Sequence, residues 1–292
     1  MQTAAPSRHL PIRKDWLAAT QEDALEPDRP IIDPHHHLWD RPGNRYLLHD
    51  LVEDLSSGHN IRTTVFLECR EMYRAEGPPE LRSLGETTFV AGVAAMSESG
   101  KYGSARACAG IIGNVDFRIG SRAKGILEQH IVASGGRFRG IRNGATWQAD
   151  PSLRVFTSGA GEGLYLDRSW REGFAALAPL NLSFEAWMFH SQLGDLIDLA
   201  RAVPQMMVRI DDRTVGFECG FLGGGEPILT DRQMAAGCLC LHRVPDESFE
   251  SNSAPAWLGM PWFNGRHARG ASMSAGEWPA PEHYSMPIAS AI

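Results

Sequence analysis

No stretch of this chain reaches the roughly 18 consecutive apolar residues that a membrane span requires. The N-terminal run MQTAAPSRHLPIRKDW also lacks the apolar centre of a signal peptide. A soluble, cytoplasmic protein is therefore expected. Basic residues are in deficit, 28 against 35 acidic, for a formal charge of -7. That balance provides no electrostatic footprint for nucleic acid and no basic run for a membrane surface, so the expected partner is a small molecule, with homodimerisation left open. Cysteine is sparse. Cys69, Cys108, Cys219, Cys238 and Cys240 are odd in number and form no CxxC pair, which argues against a disulfide framework or a zinc ribbon.

Hydrophobic residues make up 43% of the 292 positions. This is enough for one large domain, and about 250 residues is typical of a single (β/α)₈ barrel. Residues 1–29 are charged and proline-punctuated and read as an arm; residues 30–292 read as the barrel domain.

The most informative stretch is Ile31 to Asp40, IIDPHHHLWD. A short apolar run ends in a carboxylate and three histidines, and the period of two in a strand sends His35 and His37 to one face and His36 to the other. Two converging imidazoles suit Zn²⁺ or a similar divalent ion that takes further ligands from elsewhere in the fold. The alternative is a polar surface loop. The position of the triplet, after Pro34 and an apolar strand rather than at a terminus, favours the metal site.

Together with FLECREMYR at Phe66 to Arg74 and FRGIRNG at Phe138 to Gly144, this stretch resembles the amidohydrolase superfamily of TIM-barrel metal hydrolases. Within it the likeness is to the amidohydrolase-related (amidohydrolase 2) group that includes sugar-lactone and muconolactone hydrolases, and it runs from about Pro30 to Asp211. The resemblance implies a divalent ion, zinc or alternatively manganese, and hydrolysis of a cyclic ester (lactone) or amide. Decarboxylation of a small aromatic acid on the same fold, a metal-free hydrolase, and an inactive remnant or binding protein are the competing readings.

In chain order, strand and helix patterns alternate. A helix is expected over Tyr46 to Leu55 and a strand over Thr63 to Leu67, with Glu68 at the strand end where barrel enzymes build their sites. Glu68 is a candidate metal ligand or catalytic base, or else pairs with Arg70 or Arg74. A helix over Pro79 to Met96, interrupted near Gly85, precedes a strand over Ala109 to Val115, after which Asp116 is expected to cap a helix. His130 reads as a partly buried surface histidine. Arg137 to Arg142 is a strand in which Gly140 leaves room inside the barrel. Arg142 at its end is placed to hold a substrate carboxylate or lactone oxygen, unless it forms an ordinary ion pair.

The connection from Asn143 to Leu166 carries Trp147 and reads as a loop at a pocket mouth, or as a spacer. A strand over Leu182 to Phe189 puts His190, a second catalytic candidate, at its end. A clean amphipathic helix, Leu193 to Ala202, and a strand from Met206 to Ile210 follow.

At this point a related enzyme is expected to offer a third metal histidine, and the chain has Asp211, Asp212 and Arg213. Asp212 is the carboxylate that could take that place for a hard ion. From residue 212 onward the alternation fades, so the barrel is expected to be incomplete or irregular there, with 212–292 atypical, disordered or truncated. No late aspartate of the kind such hydrolases carry can be placed, and weak or absent lactone hydrolysis is the corresponding expectation.

Overall fold

The computed structural model of the protein describes residues 23–149 and 158–210, together with Ala19. At positions 190, 209 and 210 it describes the backbone alone.

The described chain is built on six parallel strands: β1 (Ile31–His36), β4 (Ile61–Leu67), β5 (Arg106–Gly113), β6 (Phe138–Gly144), β7 (Ser183–Trp187) and β8 (Val208–Ile210). They lie in one sheet in the order β1-β4-β5-β6-β7-β8. Apart from the small hairpin of β2 (Trp39–Arg41) and β3 (Asn44–Tyr46), each strand thus neighbours the next along the chain. Parallel neighbours require crossover connections, and helices supply them. These are α1 (Leu48–Leu55), α2 (Leu84–Glu98), α3 (Ala123–Ala133), α4 (Arg168–Ala175) and α5 (Leu193–Ala202). This is a mixed α/β half-barrel, an incomplete (β/α)₈ fold among the described residues. No helix among them is long and apolar enough to cross a membrane.

The core between sheet and helices is apolar, as strands covered on both faces require. Under β7 it is aromatic: Phe117, Trp170, Phe174 and Phe184 are fully buried and meet edge-to-face, tilted or stacked at centroid distances of 5.1–6.4 Å. Gly173 lets α4 come close, because a Cβ there would lie 2.5 Å from the Phe117 carbonyl oxygen.

Several sequence expectations change. Pro79 to Met96 is not one interrupted helix. A short 3₁₀ turn (Pro79–Leu81) precedes α2, and Gly85 lies inside α2, packed against the backbone of the preceding loop: its Cβ would sit 2.2 Å from the Met72 carbonyl oxygen. Gly140 does not open space in the barrel, since its Cβ would meet Ser183 Oγ at 2.3 Å on the adjacent strand. His130 is not at the surface. It is fully buried, bonded to Thr87 Oγ1 at 2.8 Å and Ser83 Oγ at 3.2 Å, and stacked on Phe138. It clips α3 to α2, and burial holds its pKa down to about 4. Asp116 does cap, its side chain accepting the Arg118 amide at 3.1 Å. The β2–β3 hairpin has no counterpart in the sequence reading.

Candidate metal and active site

β1 is bent where it presents its histidines. Asp33 pairs with Thr64 and His36 with Phe66, so β1 carries one extra residue relative to β4 across Pro34 and His35. Such a bulge bends a strand and re-aims its side chains, and it tolerates a proline that an uninterrupted ladder would not. Asp33 Oδ1 accepts the His35 amide at 3.0 Å and secures the bend, and burial raises the pKa of this carboxyl.

His35 and His37 then converge, with their Nε2 atoms 3.2 Å apart. His37 Nδ1 lies 2.8 Å from the Leu67 carbonyl oxygen. A carbonyl only accepts, so Nδ1 carries the proton, and in the neutral ring Nε2 keeps its lone pair. This is how a ligating histidine is ordinarily oriented by a backbone carbonyl. Two nitrogens at about 2.05 Å from a tetrahedral zinc lie about 3.3 Å apart, so the observed spacing fits two adjacent ligand positions. Among the described residues no group of three or more His, Cys, Asp or Glu side chains could hold a metal ion. They therefore supply a two-point ligand. Asp212, the candidate third ligand, lies outside the described residues.

His36 takes the opposite direction. Thr64 Oγ1 accepts the Cys108 amide at 2.9 Å and also lies within hydrogen-bond distance of His36 Nε2, at 2.8 Å. His36 Nδ1 is buried and without a hydrogen-bond partner among the described residues. Burial lowers the His36 pKa to about 4, so the ring stays neutral.

Glu68 and Arg142, at the ends of β4 and β6, are brought together. Arg142 Nε lies 3.1 Å from Glu68 Oε1, and Nη2 bonds the Glu68 carbonyl. Both side chains are buried, and the guanidinium lies 5.6 Å from the centroid of the Trp187 ring. The alternative partners Arg70 and Arg74 are not the ones used, because the residue at the end of β6 reaches across β5 to take the carboxylate. Glu68 Oε2 is buried without a hydrogen-bond partner among the described residues. Trp147 is half-buried on the loop after β6 and donates its backbone amide to Gln192 Oε1 at 3.1 Å. The backbone of His190 opens the 3₁₀ turn that follows β7, at the same end of the sheet.

Sequence reasoning missed a second layer. Trp39 stacks on His37 at 5.8 Å and 30°, and Arg41 lies 5.0 Å from the Trp39 centroid. Glu86 of α2 accepts two amides of the loop after β4. The parity of positions 35, 37, 39 and 41 could have revealed Trp39 and Arg41. Glu86 carries no local signal.

The paired imidazoles at the end of β1 and the buried ion pair at the ends of β4 and β6 stand at the C-terminal end of the parallel sheet, where barrel enzymes build their active sites. Residues 32–211, more than half of the chain, match the family described as Amidohydrolase. The chain belongs to that family.

It is 30% identical over 205 residues to the uncharacterized protein y4mH of Sinorhizobium fredii (strain NBRC 101917 / NGR234), covering 62% of this chain and 61% of that protein. The chain thus spans about three-fifths of that relative's length. Among solved structures it is similar to an amidohydrolase from Burkholderia multivorans with bound zinc, at 18% identity and a TM-score of 0.48, covering 72% of this chain and 65% of that one. It is also similar to Amidohydrolase 2 from Bifidobacterium longum subsp. infantis, at 18% identity and a TM-score of 0.39, covering 73% and 68%.

Proposed function

We propose that the protein is a metal-dependent hydrolase of a small cyclic ester (lactone) or amide. The observation that carries this reading is the 3.2 Å approach of His35 Nε2 to His37 Nε2, with His37 Nδ1 committed to the Leu67 carbonyl. A divalent ion held there, zinc or alternatively manganese, supplies Lewis acidity and lowers the pKa of water to about 7. Asp212 is the residue proposed to complete the ligand set.

The chain's own groups then have distinct tasks. His35 and His37 bind the ion in a fixed tautomer. Glu68 takes or returns a proton at Oε2, the oxygen its ion pair with Arg142 leaves unused, and His190 is the second acid–base candidate. Arg142 holds Glu68 in place and, with Trp147, lines the position offered to the substrate's polar oxygen.

Metal analysis of the purified chain tests the reading. About one zinc or manganese per chain is expected, and His35→Ala or His37→Ala should lose it. Full metal content in both variants would refute the assignment.

A further inference from the structure

The segment that follows β4 is strained. Arg70 and Met72 adopt left-handed φ values of 63° and 55°, a conformation that is unfavourable for a residue with a side chain. Such a conformation persists only where its surroundings over-determine it. One oxygen restrains it at two points: Glu86 Oε1 accepts the Cys69 amide at 3.0 Å and the Glu71 amide at 2.9 Å.

Held in this shape, the segment turns two acceptors toward the hairpin. Arg41 donates from Nε to Glu71 Oε1 at 2.6 Å and from Nη2 to the Cys69 carbonyl at 3.0 Å. A guanidinium forked in this way is fixed in plane and neutralised, which suits it to lie over an aromatic ring. The ring is Trp39, 5.0 Å away, and Trp39 in turn stacks on His37. A further restraint on His37, the Leu67 carbonyl, comes from the root of the same segment.

We propose that Glu86 is a positioning residue for His37, acting through Cys69 and Glu71 on the Arg41–Trp39 stack. Its functional weight rests on the proposed role of His37 as a ligand. The physical link does not. Without Glu86 the left-handed residues relax, Arg41 loses the Glu71 and Cys69 acceptors, and Trp39 no longer holds the His37 ring against Leu67.

Long-range ¹⁵N–¹H spectra of the imidazoles in the full chain read this directly. In the parent protein His37 should be the Nδ1–H tautomer. Glu86→Ala and Arg41→Leu should each convert it to a mixture, the double variant should add nothing further, and Glu86→Gln, which keeps the accepting oxygen, should retain the single tautomer. Glu86→Ala removes a buried group and could prevent folding. In that event Arg41→Leu, on the hairpin, decides. A pure Nδ1–H tautomer in Arg41→Leu overturns the proposal, as does mixing in the double variant beyond that of either single change.

Titration with cobalt(II) adds a second reading. Affinity should fall about 10- to 100-fold in Glu86→Ala and Arg41→Leu, as for other residues that orient a ligand. Unchanged affinity in both would overturn the proposal. A parent chain that binds no cobalt would overturn the metal reading of His35 and His37, while the tautomer spectra would still decide the link from Glu86.

Discussion

Arg142 Nε sits 3.1 Å from Glu68 Oε1 in a buried ion pair that spans from the end of β6 to the end of β4, across β5. Neither residue can be removed independently. Glu68→Ala leaves a guanidinium in a low-dielectric site, at a cost of about 3–5 kcal/mol, because breaking a buried pair is far more expensive than replacing it whole. The double variant Glu68→Leu/Arg142→Met should lose much less than the sum of the single losses. Urea unfolding of the three variants measures the difference, and strict additivity would contradict the coupling.

Gly85 offers a test of the loop that carries Glu68. Alanine is the better helix former by about 1 kcal/mol, so Gly85→Ala ought to stabilise α2 if propensity ruled. The methyl would instead lie 2.2 Å from the Met72 carbonyl oxygen and 2.7 Å from the Arg74 nitrogen, both backbone atoms that cannot swing away. A net destabilisation of about 1–3 kcal/mol is expected. A melting temperature at or above that of the parent protein would show that the loop yields easily.

Residues 31–210 are legible to different depths, and the reasons are physical. Strand and helix existence follows from local period, so β4, β6 and α5 are readable within a few residues of their observed bounds. The pairing of His35 with His37 is readable from parity, because a two-residue spacing on an extended chain needs no tertiary information. The partner of Glu68 is not: Arg142 is 74 positions away, and either of the nearer arginines satisfies a local reading. Glu86 is invisible for the same reason, since a buried glutamate in a helix looks like any surface one until the loop it holds is in place. Gly85 and Gly140 look permissive in sequence, whereas each marks a close approach of another segment.

His130 should make the fold sensitive to acid. Its folded pKa is lowered to about 4 by burial, with the nearby Arg74 charge adding to the effect, against an ordinary value near 6.5. The unfolded chain therefore takes up a proton that the folded chain refuses, and stability falls as pH drops from about 6.5 to about 4. The slope attributable to one such group approaches 1.4 kcal/mol per pH unit. His130→Gln keeps hydrogen-bonding capacity toward Ser83 and Thr87 without titrating. Denaturant midpoints of parent and variant should diverge with pH in that window, and parallel curves would remove His130 as a cause.

Glu86 should act in the opposite sense. Burial, reinforced by the neighbouring Glu68 charge, raises its folded pKa to about 8, against 4.5 when free, despite the Cys69 and Glu71 amides that favour ionisation. Between these values the unfolded chain releases a proton that the folded chain keeps, so stability is greatest below about 4.5 and falls as pH rises, levelling off near 8. Where the His130 and Glu86 windows overlap, from about 4.5 to 6.5, the two slopes oppose one another; above 6.5 only the loss from Glu86 remains. Glu86→Gln retains an oxygen to accept both amides and cannot ionise, so it should gain on the parent protein by up to about 1.4 kcal/mol for each pH unit above 5, until the gain levels off near pH 8. Unfolding free energies at pH 5, 6.5 and 8 check this: a parent-minus-variant difference that stays constant over that range would show that the Glu86 carboxyl is ionised in the folded protein throughout.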